Sequence, residues 1–189
     1  MNVYDFDKTI YDGDSSVDFY LFCLRKYPKI LKVILKQIYG ILAGSLGIIS
    51  REKMKELYFS FLVELPYIDK TVEQFWEYKQ HRIKLWYLNQ KKTDDVIISA
   101  SPDFLLRPIC KKLNIKYLFA SKINKYTGKF HGKNCKGKQK VRIFREYFKC
   151  LEIEKFYSDS LSDTPMAELS KQAFLVNKNI IKPWPGLKK

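Results

Sequence analysis

Two carboxylates one residue apart, Asp5 and Asp7, stand at the head of the chain in Val3-Tyr4-Asp5-Phe6-Asp7-Lys8-Thr9. In extended backbone they point to the same side, and Phe6 to the other. Such a pair repels unless a cation is shared or one carboxyl keeps its proton. One acid can then attack as a nucleophile while its neighbour moves a proton beside a bound metal. A second acidic pair, Asp159 and Asp163, is spaced D-x-x-x-D. That spacing brings both acids to one turn and suits a hard cation such as Mg²⁺. In Ser99-Ala100-Ser101-Pro102, the Ser99 hydroxyl and the backbone N–H beside it, at Ala100, suit a phosphate oxygen. Lys140, after the basic stretch 133–138, is placed to offset anionic charge, with Lys136 and Lys138 as rivals. Each feature alone has a plain structural reading: an acidic turn, a helix cap, a surface lysine.

The elements around these residues follow from pattern. Residues 2–4 read as a short strand that ends at Asp5. Val96-Ile97-Ile98 is a β-branched run, the mark of a buried parallel strand, and it ends at Ser99. A helix over 104–113, a strand over 117–120, a hairpin over 122–133 and a helix over 139–148 follow. A strand at 155–157 leads to Asp159, then come a helix over 165–171 and a last strand over 173–176. This alternation predicts a parallel sheet covered by helices. Between the first two strands, residues 16–90 read as all-helical. Ser15 or Ser16 caps the first of these helices, Ser50 caps another, and residues 69–88 form one long helix. The expected fold class is therefore α/β: a Rossmann-like parallel sheet core in residues 1–12 and 91–189, an inserted all-helical cap in 13–90, and a small β-hairpin.

A formal net charge of +15 attracts polyanions without choosing among them. No aromatic-basic motif of an RNA-binding sheet appears, which argues against nucleic acid as the partner. Cys23, Cys110, Cys135 and Cys150 are scattered, and His81 and His131 lie far apart, which argues against zinc and for free thiols in a reducing cytosol. Charge close to Met1 leaves no room for a signal peptide, so a cytoplasmic protein is expected. Residues 30–49 form the most apolar stretch, uncharged only from 37 to 50 and too short to span a bilayer. Two readings stand. Either Ile34, Leu35, Ile38, Ile41 and Leu42 pack inside the helical insertion, or they form a lysine-fringed face for peripheral membrane contact.

In their order along the chain these motifs resemble the haloacid-dehalogenase-like hydrolase superfamily, in its phosphoserine-phosphatase-like branch with a helical cap. The resemblance spans residues 3–176. It implies an Mg²⁺-dependent phosphatase acting on a phosphomonoester of a small molecule. Asp5 would be the nucleophile that becomes an aspartyl phosphate, and Asp7 the acid and base. Thr9 would support the loop, and Thr9, Ser99, Ala100 and Lys140 would hold the phosphoryl group. Mg²⁺ would sit on Asp5, the Asp7 backbone carbonyl and Asp159, with Asp163 close by or acting through water. Lys140 is preferred in the third motif because Ile143 and Phe144 follow it at the family's offset. Two features depart from true phosphoserine phosphatases. Asp14 stands where they carry a glutamate, and the region of their cap arginine reads Lys55-Glu56-Leu57-Tyr58. Asp14 and Tyr58 are the expected substrate contacts from the insertion. A lipid phosphate is the alternative substrate, and a non-catalytic basic binding protein the alternative from another class. Oligomeric state stays open.

Overall fold

A computed structural model describes residues 1–149 and 151–187, so Cys150 lies outside the described residues. Its centre is a six-stranded sheet: β1 (Asn2–Tyr4), β2 (Val96–Pro102), β3 (Tyr117–Ser121), β4 (Ile153–Ser158), β5 (Ser170–Asn177) and β6 (Ile180–Pro183), in the order β3-β2-β1-β4-β5-β6. The first five strands run parallel, and β6 is antiparallel at the edge. Strand order reverses beside β1, and a crevice opens at the carboxyl ends of strands on either side of such a point. Val96, Ile97 and Ile98 are fully buried, as expected of an interior parallel strand. One face of the sheet carries an aromatic ladder. Tyr4, Tyr157 and Phe174 occupy adjacent registers on β1, β4 and β5, and both neighbouring ring pairs stack with centroids 4.9 Å apart.

The chain between β1 and β2 is helical: α1 (Ser15–Lys26), a 3₁₀ stretch Pro28–Val33, α2 (Ile34–Ser45), α3 (Arg51–Tyr58), a 3₁₀ stretch Phe59–Glu64, α4 (Ile68–Lys79) and α5 (Leu85–Gln90). Asp14, rather than Ser15 or Ser16, caps α1; its Oδ1 accepts from the Ser16 and Val17 N–H groups at 3.0 Å. Ser50 caps α3 as expected, accepting from the Lys53 N–H. The single helix expected over 69–88 is broken. Tyr11 and Ile83 form an antiparallel bridge, the Asp12 N–H donates to Arg82 O and the Lys84 N–H to Ile10 O. Those bonds hold Ile83 extended, and a helix cannot run through it. The outgoing and returning chains are thus tied together, and α5 then packs on the sheet, with Tyr87 edge-on to Tyr4.

After β2 come α6 (Asp103–Lys112), β3, a hairpin closed by an Ile123–Phe130 bridge, α7 (Lys138–Tyr147), β4 and a short α8 (Thr164–Ala167). The helix expected over 165–171 stops early because Ser170 already pairs with Ile153 of β4. The strand expected at 173–176 is longer and is not the last. β6 follows a Lys178-Asn179 turn with Lys178 at φ 52°. Nor do the large apolar residues of α2 lie inside the insertion. Leu35, Ile38, Ile41 and Leu42 are exposed, because α2 packs through its small residues. Gly40 approaches Leu57 so closely that a Cβ there would stand 2.7 Å from the Leu57 Cβ.

Candidate active site

The β1 strand ends at Tyr4, but pairing with β4 continues one residue further, since the Asp5 N–H donates to Tyr157 O at 2.8 Å. This fixes Asp5 at the mouth of the crevice. Phe6 turns away, fully buried and stacked on Tyr11. Asp5 and Asp7 therefore share one cleft, as their spacing predicted. The cleft measures about 440 Å³ and is also lined by Ser99, Ala100, Lys140, Asp159 and Asp163. The carboxyl ends of β1, β2 and β4 converge there. A wider depression lies at the amino ends of β2 and β3, with Asp94 as the sole acid in its lining.

Lys140 is the best-buried cation of the site, at 1% exposure. Its Nζ donates to Asp5 Oδ1 at 2.6 Å and Asp163 Oδ2 at 2.7 Å. Burial alone would lower its proton affinity, but Asp5 and Asp163 together overcome this and raise it, so the ammonium stays charged. Lys136 and Lys138 are exposed, so of these three lysines Lys140 alone is buried against the acids. Asp163 is held from three sides, by Lys140, by Ser158 Oγ at 2.9 Å and by the Gly137 N–H at 3.3 Å. Its oxygens position the lysine.

Asp7 Oδ1 accepts from the Ser15 N–H at 2.7 Å, and its Oδ2 from the Ser101 hydroxyl. Burial pushes the Asp7 carboxyl up to about 6, with a further push from Asp14. Burial pushes Asp5 up to about 7 against the pull of Lys140. Asp159 is raised as well, by burial first. Ser99 Oγ accepts from the Ser101 N–H at 3.1 Å, so the strand end is pinned beside the acids. Thr9 is fully buried; its hydroxyl has no hydrogen-bond partner, and the cleft lining does not include it.

The insertion supplies the opposite wall through Asp14, Arg51, Lys55 and Tyr58. The Tyr58 hydroxyl donates to Ser16 O at 3.2 Å. Lys55 crosses to the sheet side and donates to Ala100 O at 2.9 Å and Asn134 Oδ1 at 3.0 Å. Burial lowers its proton affinity, while Asp14 and Asp7 counter that. Sequence reading did not single out Ser101, Lys55 or Asn134. Ser101 lies two residues from Ser99 and so on its side of the strand, and Lys55 lies one helical turn from both Arg51 and Tyr58, so two of the three carried a signal. The rim carries the exposed cations Lys8, Arg51 and Lys136.

Among the described residues, no three His, Cys, Asp or Glu side chains cluster as a ready metal cage. Mg²⁺ seldom uses one; it binds one or two carboxylates and keeps water or substrate oxygens for the rest. Asp5 and Asp159 meet that need with hard oxygen donors. Asp159 lines the same cleft as Asp5 and makes no ion pair of its own among the described residues, so its carboxylate is open to a cation. The residues present fit the ion.

The family model for haloacid dehalogenase-like hydrolases matches residues 3–168. A protein of unknown function from Bordetella pertussis Tohama I superposes with a TM-score of 0.76 at 17% identity, covering 92% of this chain and 87% of the other. A phosphoserine phosphohydrolase-like protein from Francisella tularensis gives 0.54 at 20% identity, with 92% and 86% covered. A phosphoserine phosphatase solved as a phospho-aspartyl intermediate analogue gives 0.57 at 21% identity, with 90% and 83% covered. No curated protein matches the sequence. With the match covering both aspartate motifs and the lysine between them, the chain belongs to the haloacid dehalogenase-like hydrolases.

Proposed function

We propose that this chain is an Mg²⁺-dependent phosphatase that hydrolyses a phosphomonoester through an aspartyl phosphate on Asp5. The observation that carries the reading is the pairing of two differently held carboxylates in one cleft. Asp5 is braced by a buried lysine, and Asp7 by a hydroxyl and a backbone N–H. Two carboxyls held differently in one cleft can divide the work of nucleophile and proton carrier, and the order of the family's first motif gives Asp5 the attack and Asp7 the proton. The rim cations Lys8, Arg51 and Lys136 draw the phosphate dianion in. An Asp5 carboxylate oxygen attacks phosphorus, the bond to the leaving oxygen breaks, and Asp7 gives that oxygen its proton. A water then attacks the phosphorus of the aspartyl phosphate, Asp7 takes its proton, and Asp5 and inorganic phosphate are released. Lys140 and Ser99 hold phosphoryl oxygens as charge builds on them. Asp5, the Asp7 backbone carbonyl and Asp159 would hold Mg²⁺, which supplies positive charge to the transferring phosphoryl group when bound.

The substrate class is a phosphorylated small molecule that meets Asp14, Lys55 and Tyr58. Lys55, with Arg51 a turn before it, supplies the cation on the insertion's wall. The test is turnover of an aryl phosphate with and without Mg²⁺, in wild type and Asp5→Asn. Asp5→Asn should lose at least about a thousandfold, roughly 4 kcal/mol, while its melting curve stays cooperative. Activity within about tenfold of wild type would reject the nucleophile.

A further inference from the structure

The α2 helix is built inside out. Its buried positions are Gln37, Gly40 and Ala43, and Gly40 and Gly44 let it sit against Leu57 and Met54 of α3. Gln37 ties it further, accepting from the Tyr20 hydroxyl and donating to Tyr58 O. The large apolar residues point outward instead. Leu35 is 78% exposed, Leu46 73%, Ile48 69% and Leu42 58%, with Ile38, Tyr39 and Ile41 beside them. A helix that served only the core would show the opposite pattern. A contiguous apolar face of this kind marks a docking surface.

Its charge identifies the partner. From Phe19 to Arg51 the chain has no Asp or Glu and six Lys or Arg. Lys29, Lys32 and Lys36, on and beside α2, are exposed. A second copy of this chain would set like charge against like charge, whereas an anionic lipid surface takes up both the leucines and the lysines. At 12 residues α2 is too short to span a bilayer, so it would lie in the interface. Ile41 belongs both to this face and to the lining of the catalytic cleft, where Val17 and Met54 adjoin it.

We propose that the outer face of α2 docks the protein on an anionic lipid bilayer. Docking sets the cleft mouth at the interface, so the substrate is a phosphomonoester carried on an apolar anchor whose first segment lies along Val17, Ile41 and Met54. The substrate part rests on the phosphatase reading; the docking part stands without it.

The full chain is sedimented with phosphatidylcholine vesicles containing about one-third phosphatidylglycerol, and with pure phosphatidylcholine, at low and high salt. Phosphatidylglycerol is a phosphodiester, so its binding does not report the phosphomonoester site. The protein should pellet with the anionic vesicles at low salt and come off at high salt. Joint Leu35→Ser, Leu42→Ser and Leu46→Ser changes should weaken binding about tenfold or more, as should joint Lys29→Gln, Lys32→Gln and Lys36→Gln. Both variants should keep wild-type melting and aryl-phosphate turnover, and Asp5→Asn should bind vesicles like wild type. No pelleting at low salt, or binding that neither triple weakens, overturns the docking. A dimer in sedimentation velocity that the leucine triple dissolves, without vesicle binding, assigns the face to a second copy instead. Vesicle binding by a wild type that turns over no aryl phosphate would leave the docking intact and sink the phosphatase reading.

Discussion

At Asp7 opposing forces meet on one carboxyl. Burial and Asp14 favour its neutral form, while the bonds from Ser101 and Ser15 favour its charged form. Ser101→Ala removes one of the latter, so the proton should be held more tightly. A hydrogen bond worth about 1 kcal/mol corresponds to about 0.7 of a pH unit. The proton donor of the first step must be protonated, so the alkaline limb of the kcat/KM profile should move up by about that amount. An unmoved or lowered limb would contradict the assignment of Asp7 as the acid. Lys140 carries a larger stake. Lys140→Met leaves Asp5 and Asp163 buried side by side without their cation, a change that costs about 3–5 kcal/mol. Urea unfolding should read that loss, and a cost under about 1 kcal/mol would show that the ammonium is not what stabilises the pair. The aspartates were legible in sequence because each follows a strand, where chemistry-bearing side chains gather. Lys140 was separable from Lys136 and Lys138 only by its helical offset, and burial now separates them. Asn134 was not legible as a site residue, because its role arises from a contact with Lys55, far away in the chain.

Among the elements, α2 and α3 meet through glycine. Alanine at an ordinary exposed helix position outranks glycine by about 1 kcal/mol. Gly40→Ala should go the other way, because the added Cβ would stand 2.7 Å from the Leu57 Cβ. Overpacking of this kind costs about 1–3 kcal/mol, so the variant should melt below wild type. A higher melting point would mean that the two helices part freely. The same helix shows what pattern reading left open. Periodicity identifies an apolar face but not the side to which it turns, and close glycine packing turned the face of α2 to solvent. The break at Ile83 was hidden for a related reason, since only its pairing with Tyr11 prevents a helix there. β6 escaped because its turn, Lys178-Asn179, lacks the Asn-Gly or Asp-Gly signature of a tight hairpin. The parallel strands, by contrast, were visible as short β-branched or aromatic runs each followed by polar residues.

For the whole molecule, the acidic cleft links stability to pH and to metal. Asp5 and Asp7 in the folded state hold protons to about 7 and about 6, well above their ordinary 3.8. The folded chain thus keeps protons that the unfolded chain gives up. This contribution to stability is complete below the unfolded value and is lost as pH rises through about 6 to 7. Mg²⁺ acts in the opposite sense, binding the deprotonated acids of the folded state. It should therefore raise the melting temperature more at about pH 8 than at about pH 5, and an equal shift at both would argue against these ligands. Burial also pushes the Cys23, Cys110 and Cys135 thiols up to about 12, so alkylating reagents should not touch them in the native protein. Among the described residues no helix is long and apolar enough to cross a membrane. One consequence lies in the position of β1 between β2 and β4. Val3 pairs with Val96 on one side and Phe156 on the other, so β1, synthesised before both of its neighbours, waits for partners made much later. Long-range parallel pairing of this kind is slow to form and leaves nascent chains exposed. A message cut short before Ile153 would yield a polypeptide that carries Asp5 and Asp7 yet has no β4 to hold them, and such a fragment should be chaperone-bound and inert.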